Sequence, residues 1–96
     1  MFFCNKKKIE LSDNELRIIL YSLNDFRNSI IKENKYPDAV DDILPRLKNK
    51  MKVDKYDLGV IINGLSERIK TLANENQDTT EIENIFYKLF KLYETL

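Results

Sequence analysis

The feature that most constrains this chain is a repeat: residues 10–48 match residues 52–90 without a gap at a constant offset of 42. The overlay pairs Leu16 with Leu58, Ile19 with Ile61, Leu23 with Leu65, Glu33 with Glu75, Asn34 with Asn76, Ile43 with Ile85 and Leu47 with Leu89. Conservative pairs fill the intervals, among them Leu11/Val53, Glu15/Asp57, Val40/Ile82 and Arg46/Lys88. Apolar residues recur every three or four positions within each copy, so the repeated unit reads as two amphipathic helices joined by a turn, a helical hairpin.

With 96 residues, neither copy buries enough surface to stand alone, and the two must share one core. Two glycines and two prolines leave little material for sheet turns, and the chain reads as an all-α four-helix bundle of two tandem αα-hairpin repeats. The expected organisation is an N-terminal arm over 1–10, a first hairpin over 11–48, a linker over 49–52 and a second hairpin over 53–96. Sixteen basic and sixteen acidic side chains cancel, so overall charge gives no case for an anionic partner; only the distribution of charge can. Cys4 is the single cysteine and there is no histidine, which argues against an internal disulfide or a zinc site and for a reducing compartment inside a cell. No stretch has the length of a membrane span, and the apolar start Met1-Phe2-Phe3 precedes the Lys6–Lys8 run in the wrong order for a signal peptide.

Each long helix announces its start. Ser12 with Glu15, and Asp54 with Asp57, have capping-box spacing, flanked by Leu11/Leu16 and Val53/Leu58 as hydrophobic staples. The first helix carries Leu16, Ile19, Leu20, Leu23, Phe26 and Ile30 on one face and should run to about Glu33. Asn34 and Asn76 mark its end and that of its copy, since asparagine tolerates the left-handed backbone that stops a helix. Asp38 with Asp41 and Thr80 with Glu83 repeat the cap-plus-acid spacing, which predicts four helix starts of one design across four-residue turns. The second helix should bury Val40, Ile43, Leu44, Leu47 and Met51, and the fourth Ile82, Ile85, Phe86, Leu89, Phe90 and Tyr93. Pro45 conflicts with a continuous second helix and predicts a kink or a late start near Asp42. Val60-Ile61-Ile62-Asn63-Gly64 could be a strand and tight turn, but the match to the first helix favours helix.

Three features are candidates for function. A stripe beside the core face reads Arg17, Tyr21, Asn24, Asn28 and Ile31 in the first copy, and Gly59, Asn63, Ser66, Lys70 and Ala73 in the second, with Gly64 nearby. A glycine inside a helix costs roughly 1 kcal/mol relative to alanine, so Gly59 and Gly64 call for a close neighbour: a second subunit or target, or helix B of the other hairpin. The hairpin topology gathers Lys6, Lys7, Lys8, Arg46, Lys48, Lys50, Lys52 and Lys55 at one end, and Glu33, Asp38, Asp41, Asp42, Glu75, Asp78, Glu81 and Glu83 at the other. A basic end could hold phosphates and an acidic end could fill a basic groove, although acids at helix starts and bases at helix ends also suit the helix macrodipole. Phe2, Phe3, Tyr36 and Tyr56 lie outside the periodic pattern as interface anchors or, for Phe2 and Phe3, as plugs for an open end of the core.

No catalytic constellation is present: there is no histidine, no glycine-rich phosphate loop and no nucleophile elbow, and Asp41/Asp42 are explained as helix-start acids. The chain therefore reads as a non-enzyme with no cofactor and no metal. Leu16-Arg17, Leu23-Asn24-Asp25-Phe26-Arg27-Asn28 and Asp38-Ala39-Val40-Asp41-Asp42-Ile43-Leu44 resemble short uncharacterised helical proteins carried by phages and mobile elements of AT-rich bacteria. That resemblance covers 11–48 and more weakly the copy, in which Arg17, Asn24, Phe26 and Asn28 become Gly59, Ser66, Arg68 and Lys70. It implies a context in which small non-catalytic proteins inhibit bacterial defence systems, as anti-CRISPR proteins do.

The leading expectation is thus a protein-binding inhibitor of a bacterial defence effector, using Arg17, Tyr21, Asn24, Asn28, Tyr36, Asp38, Asp41 and Asp42. A DNA-binding regulator would instead use Lys48, Lys50, Lys52 and Lys55. A homo-oligomeric sponge for a small nucleotide would place Gly59, Asn63, Gly64 and Ser66 at its subunit contact.

Overall fold

A computed structural model describes residues 6–96. It contains four α-helices: α1 (Asp13–Lys32), α2 (Asp38–Lys48), α3 (Lys55–Asn74) and α4 (Thr80–Thr95). Adding 42 to the limits of α1 gives those of α3, and the starts of α2 and α4 differ by the same number. Phe2 and Phe3 lie outside the described residues. No helix among the described residues is long and apolar enough to cross a membrane.

The caps follow the repeat. In α1 the Ser12 hydroxyl accepts from the Glu15 amide (3.1 Å) while the Glu15 carboxylate accepts from the Ser12 amide (2.9 Å). In α3 Asp54 accepts from the Asp57 amide (2.8 Å) and Asp57 from the Asp54 amide (3.0 Å). Asn34 and Asn76 both take left-handed backbone, at φ 59° and 58°, and stop α1 and α3 one residue after their caps. The residue at this position must accept a positive φ, which asparagine does at little cost.

The shorter helices begin differently from the expected common design. Pro37 and Thr79 occupy the cap positions of α2 and α4, and neither supplies a side-chain cap. Asp38 and Thr80 are already helical, and Asp78 takes over by accepting from the amide (3.0 Å) and hydroxyl (2.7 Å) of Thr80. These bonds hold the Asp78 carboxyl below its ordinary value, the Thr80 hydroxyl being the larger cause. Nor does α2 start late: it begins at Asp38 and runs through Pro45. Pro45 and Asp41, whose carbonyl loses its partner to the missing amide, are both exposed, so water can serve that carbonyl.

The four helices close over one core of Ile19, Leu23, Val40, Ile43, Leu47, Val53, Leu58, Ile61, Leu65, Ile82, Ile85 and Leu89. Five pairs of repeat-equivalent positions are included, and α1 packs chiefly on α3, so the hairpins meet through their long helices. Met51 falls outside α2 and is exposed, and Phe90 lies at the rim of the core rather than inside it. Tyr93 is half-buried against α3.

Among the ion pairs that join one hairpin to the other, two are copies of each other. Arg46 at the end of α2 binds Asp57 in the cap of α3 through both guanidinium nitrogens, at 2.7 Å each, and also reaches Asp42 at 2.7 Å. Lys88 in α4, equivalent to Arg46, binds Glu15 in the cap of α1 at 3.1 Å and the carbonyl of Glu10 at 2.8 Å. Exchanging the hairpins exchanges the pairs, which is the signature of an approximate two-fold axis. Burial pushes the Asp57 carboxyl up, but Arg46 and the Asp54 amide outweigh it and hold it below the usual carboxylate value. The Ser12 amide and then Lys88 hold Glu15 down in the same way.

Candidate functional site

Ser22 of α1 and Gly64 of α3 stand at equivalent positions of the repeat, and both are buried. Their different sizes give the molecule two unlike sides. A Cβ on Gly64 would stand 3.1 Å from Leu23 Cδ2 and 3.5 Å from Phe26 Cδ2, so glycine lets α1 close over α3 there. Within the chain, the neighbour at this glycine is helix A of the other hairpin rather than its helix B. Gly59 has its nearest neighbour, Tyr93, in helix B of its own hairpin, 3.8 Å from the position of a Cβ. Asn63 is exposed and Gly59 and Ser66 are half-buried along one face of α3, from which the buried Gly64 is set apart.

On the other side, Ser22 turns its hydroxyl back to the Ile18 carbonyl (2.8 Å), and the position equivalent to Phe26 is Arg68. A long cation does not seal this contact. It leaves an open cleft of about 200 Å³ between α1, α3 and the start of α4, lined by Ile18, Tyr21, Ser22, Arg68, Leu72 and the Asp78/Glu81 turn. The Arg68 guanidinium lies over the Tyr21 ring, 4.9 Å from its centroid, and pairs with Asp25 at 3.5 Å. Tyr21 is 60 % exposed yet held by this contact.

Tyr21 belongs to an exposed row along α1 with Arg17, Asn24 and Asn28. Arg17 donates to Asn14 one turn back, which keeps it along the row. Of the other candidate partner-binding residues, Tyr36 stands 89 % exposed in the α1–α2 turn and Asp38 is exposed as the first residue of α2. Asp41 is engaged by Arg27 and Asp42 by Arg46, so these two acids serve the helix contacts.

Lys48, Lys50, Lys52 and Lys55 are all exposed at the end where α2 stops and α3 begins. Lys55 lies over the Tyr93 ring at 4.7 Å. Arg46 does not join them, because the two carboxylates of Asp57 and Asp42 take its charge.

Arg68 and Ser22 were not among the candidates read from the sequence. The signal for both was present in the overlay, as the replacement of Phe26 by Arg68 and of Ser22 by Gly64. No family model, curated protein or solved structure matches this chain.

Proposed function

We propose that this protein acts by binding rather than by catalysis, laying the exposed face of α1 against a protein partner. The observation that carries the reading is Tyr21, an aromatic side chain exposed at the centre of the Arg17/Asn24/Asn28 row and held from below by Arg68. Tyrosine and arginine are the residue types that anchor interfaces, and a side chain held in place before binding loses less freedom on binding. The cleft beside Tyr21 offers a recess for a protruding partner side chain, with Asp78 and Glu81 at its acidic rim. On the resemblance of the first hairpin to small phage and mobile-element proteins, the partner is a bacterial defence effector and the effect is inhibition by occlusion.

The test is protection in cells. Expressed in bacteria that carry an active defence system, the wild-type chain should restore plating of a targeted phage, and Tyr21→Ala combined with Asn24→Arg should abolish that restoration. Charge reversal at Lys50 and Lys52 should leave it intact. Restoration that survives the α1 substitutions, or an absence of restoration across a panel of defence systems, overturns the reading.

A further inference from the structure

The lysines of the arm and those of the connection are far apart in sequence and are joined by one backbone contact. The Lys7 amide donates to the Val53 carbonyl at 2.8 Å, and the Val53 amide donates to the Lys7 carbonyl at 2.8 Å. Val53 is fully buried as the staple residue of α3, so the bridge ties the arm to the core. In this antiparallel register Lys8 falls opposite Lys52. Like charges placed opposite one another oppose the pairing, so the fold gains nothing from having lysine at both positions.

Lys50 adds a second anomaly. It has left-handed backbone, at φ 54°, in a helix-ending turn like those of Asn34 and Asn76. Lysine fits that conformation less well than the asparagine used twice elsewhere. The macrodipole of α2 accounts for a cation at Lys48, but not for the three lysines of the arm or for Lys52. Among the described residues, none of Lys6, Lys7, Lys8, Lys48, Lys50 and Lys52 forms an ion pair. Of the nearby acids, Asp57 and Asp42 share Arg46 and Glu15 is paired with Lys88; Glu10, Asp13 and Asp54 have no cationic partner among the described residues, which leaves the six ammonium groups in excess.

We propose that this end of the molecule binds the phosphodiester backbone of nucleic acid, independently of the α1 face. Lysines act on phosphates as mobile point charges and read no base edge, so the binding is insensitive to sequence. Lys8 and Lys50 flank an open recess of about 580 Å³ whose other charged groups are Glu10 and the Lys88–Glu15 pair, so the cations outnumber the acids there by one. An anionic bilayer is the poorer fit, because stable attachment needs apolar area as well as charge, and beside these lysines the described residues expose only Met51 and the amphipathic ring of Tyr56.

The experiment is fluorescence anisotropy with the full chain, using a labelled 20-base-pair DNA duplex, an RNA duplex of the same sequence, and phosphatidylserine-containing vesicles. Neutralisation of about four phosphates predicts a roughly 100-fold loss of affinity between 50 and 200 mM KCl for the DNA duplex. The triple variant Lys8→Gln/Lys50→Asn/Lys52→Gln should bind at least about tenfold more weakly at 50 mM salt and with a shallower salt slope, by roughly 3 in log–log units. Its helical circular dichroism should be unchanged, since all three side chains are exposed. Tyr21→Ala should bind like wild type. Binding to either duplex with these properties supports the proposal, and the tighter of the two identifies the source of the phosphates. No binding to either duplex at 50 mM KCl, a triple variant that binds like wild type, or preference for the vesicles would overturn it.

Discussion

Where Gly64 of α3 meets α1, Leu23 and Phe26 close tightly over it; at the equivalent place in the other copy, Ser22 and Arg68 line a cleft that remains open. The ion pairs that lock the hairpins differ in the same spirit. Arg46–Asp57 is bidentate, with 21 % and 8 % of the two side chains exposed, whereas Lys88–Glu15 joins a point charge to a carboxylate at 44 % and 26 %. In a duplicated scaffold one copy of a contact suffices for cohesion, and the other is free to change. Here the Gly64 side and the Arg46 pair hold the hairpins together, and the Ser22 side leaves polar groups exposed beside Tyr21.

Substitutions should separate the two sides. The largest effect belongs to Gly64→Leu, which drives a side chain into Leu23 and Phe26 and should cost about 3 kcal/mol or more, read from urea denaturation. Asp57→Asn should cost about 2–3 kcal/mol, because it leaves Arg46 largely buried with one exposed carboxylate. Glu15→Gln keeps the cap and removes only the half-exposed pair, and should cost at most about 1 kcal/mol. Equal costs for these two would show that the pairs are energetically alike and dissolve the comparison.

Acid provides the same contrast without mutation. Asp57 and Glu15 are both held below their unfolded values, so the unfolded chain takes up protons first as pH falls. The stability they contribute is complete above about pH 5 and drains away as pH drops through about 4 towards their folded values. A melting-temperature profile from about pH 6 to about pH 2, the span of carboxylate titration, should flatten more in Asp57→Asn than in Glu15→Gln.

Swapping the two sides should be asymmetric. Phe26→Arg places a cation against Gly64 and should cost about 2 kcal/mol, while Arg68→Phe trades a surface ion pair for apolar contact and should stay within about 1 kcal/mol of wild type. Equal effects from both would mean that the cleft is packed as tightly as its counterpart. The smallest effect expected is a gain: Lys50→Asn relieves a left-handed lysine and should add up to about 1 kcal/mol to the unfolding free energy.

Much of the fold was legible because its determinants are local. The three-to-four spacing of Ile19, Leu23, Ile61 and Leu65 identifies a buried face, and Ser12/Glu15, Asp54/Asp57, Asn34 and Asn76 fix helix limits through bonds within one turn. The starts of α2 and α4 were misread because Asp38/Asp41 and Thr80/Glu83 match a cap spacing one residue away from the real cap. Spacing alone does not give phase. Met51 was misread for a similar reason: it continues the apolar period of α2, but the chain turns left-handed at Lys50 before reaching it.

The candidate site was only half legible. Arg17, Tyr21, Asn24 and Asn28 share a helical face by periodicity, but Arg68 reaches Tyr21 from another helix, and no sequence spacing encodes a crossing. The sequence by itself determined four helices, their order, their limits to within a few residues and the residues of the core, because each depends on hydrogen bonds and apolar periods a few positions long. Only the tertiary structure decided that Gly64 serves α1, that Arg46 and Lys88 reach across to the caps of the opposite hairpins, and that Lys7 bridges Val53 in a register that sets Lys8 opposite Lys52. Those contacts depend on where the two long helices cross, which is set by the fit of whole surfaces against each other.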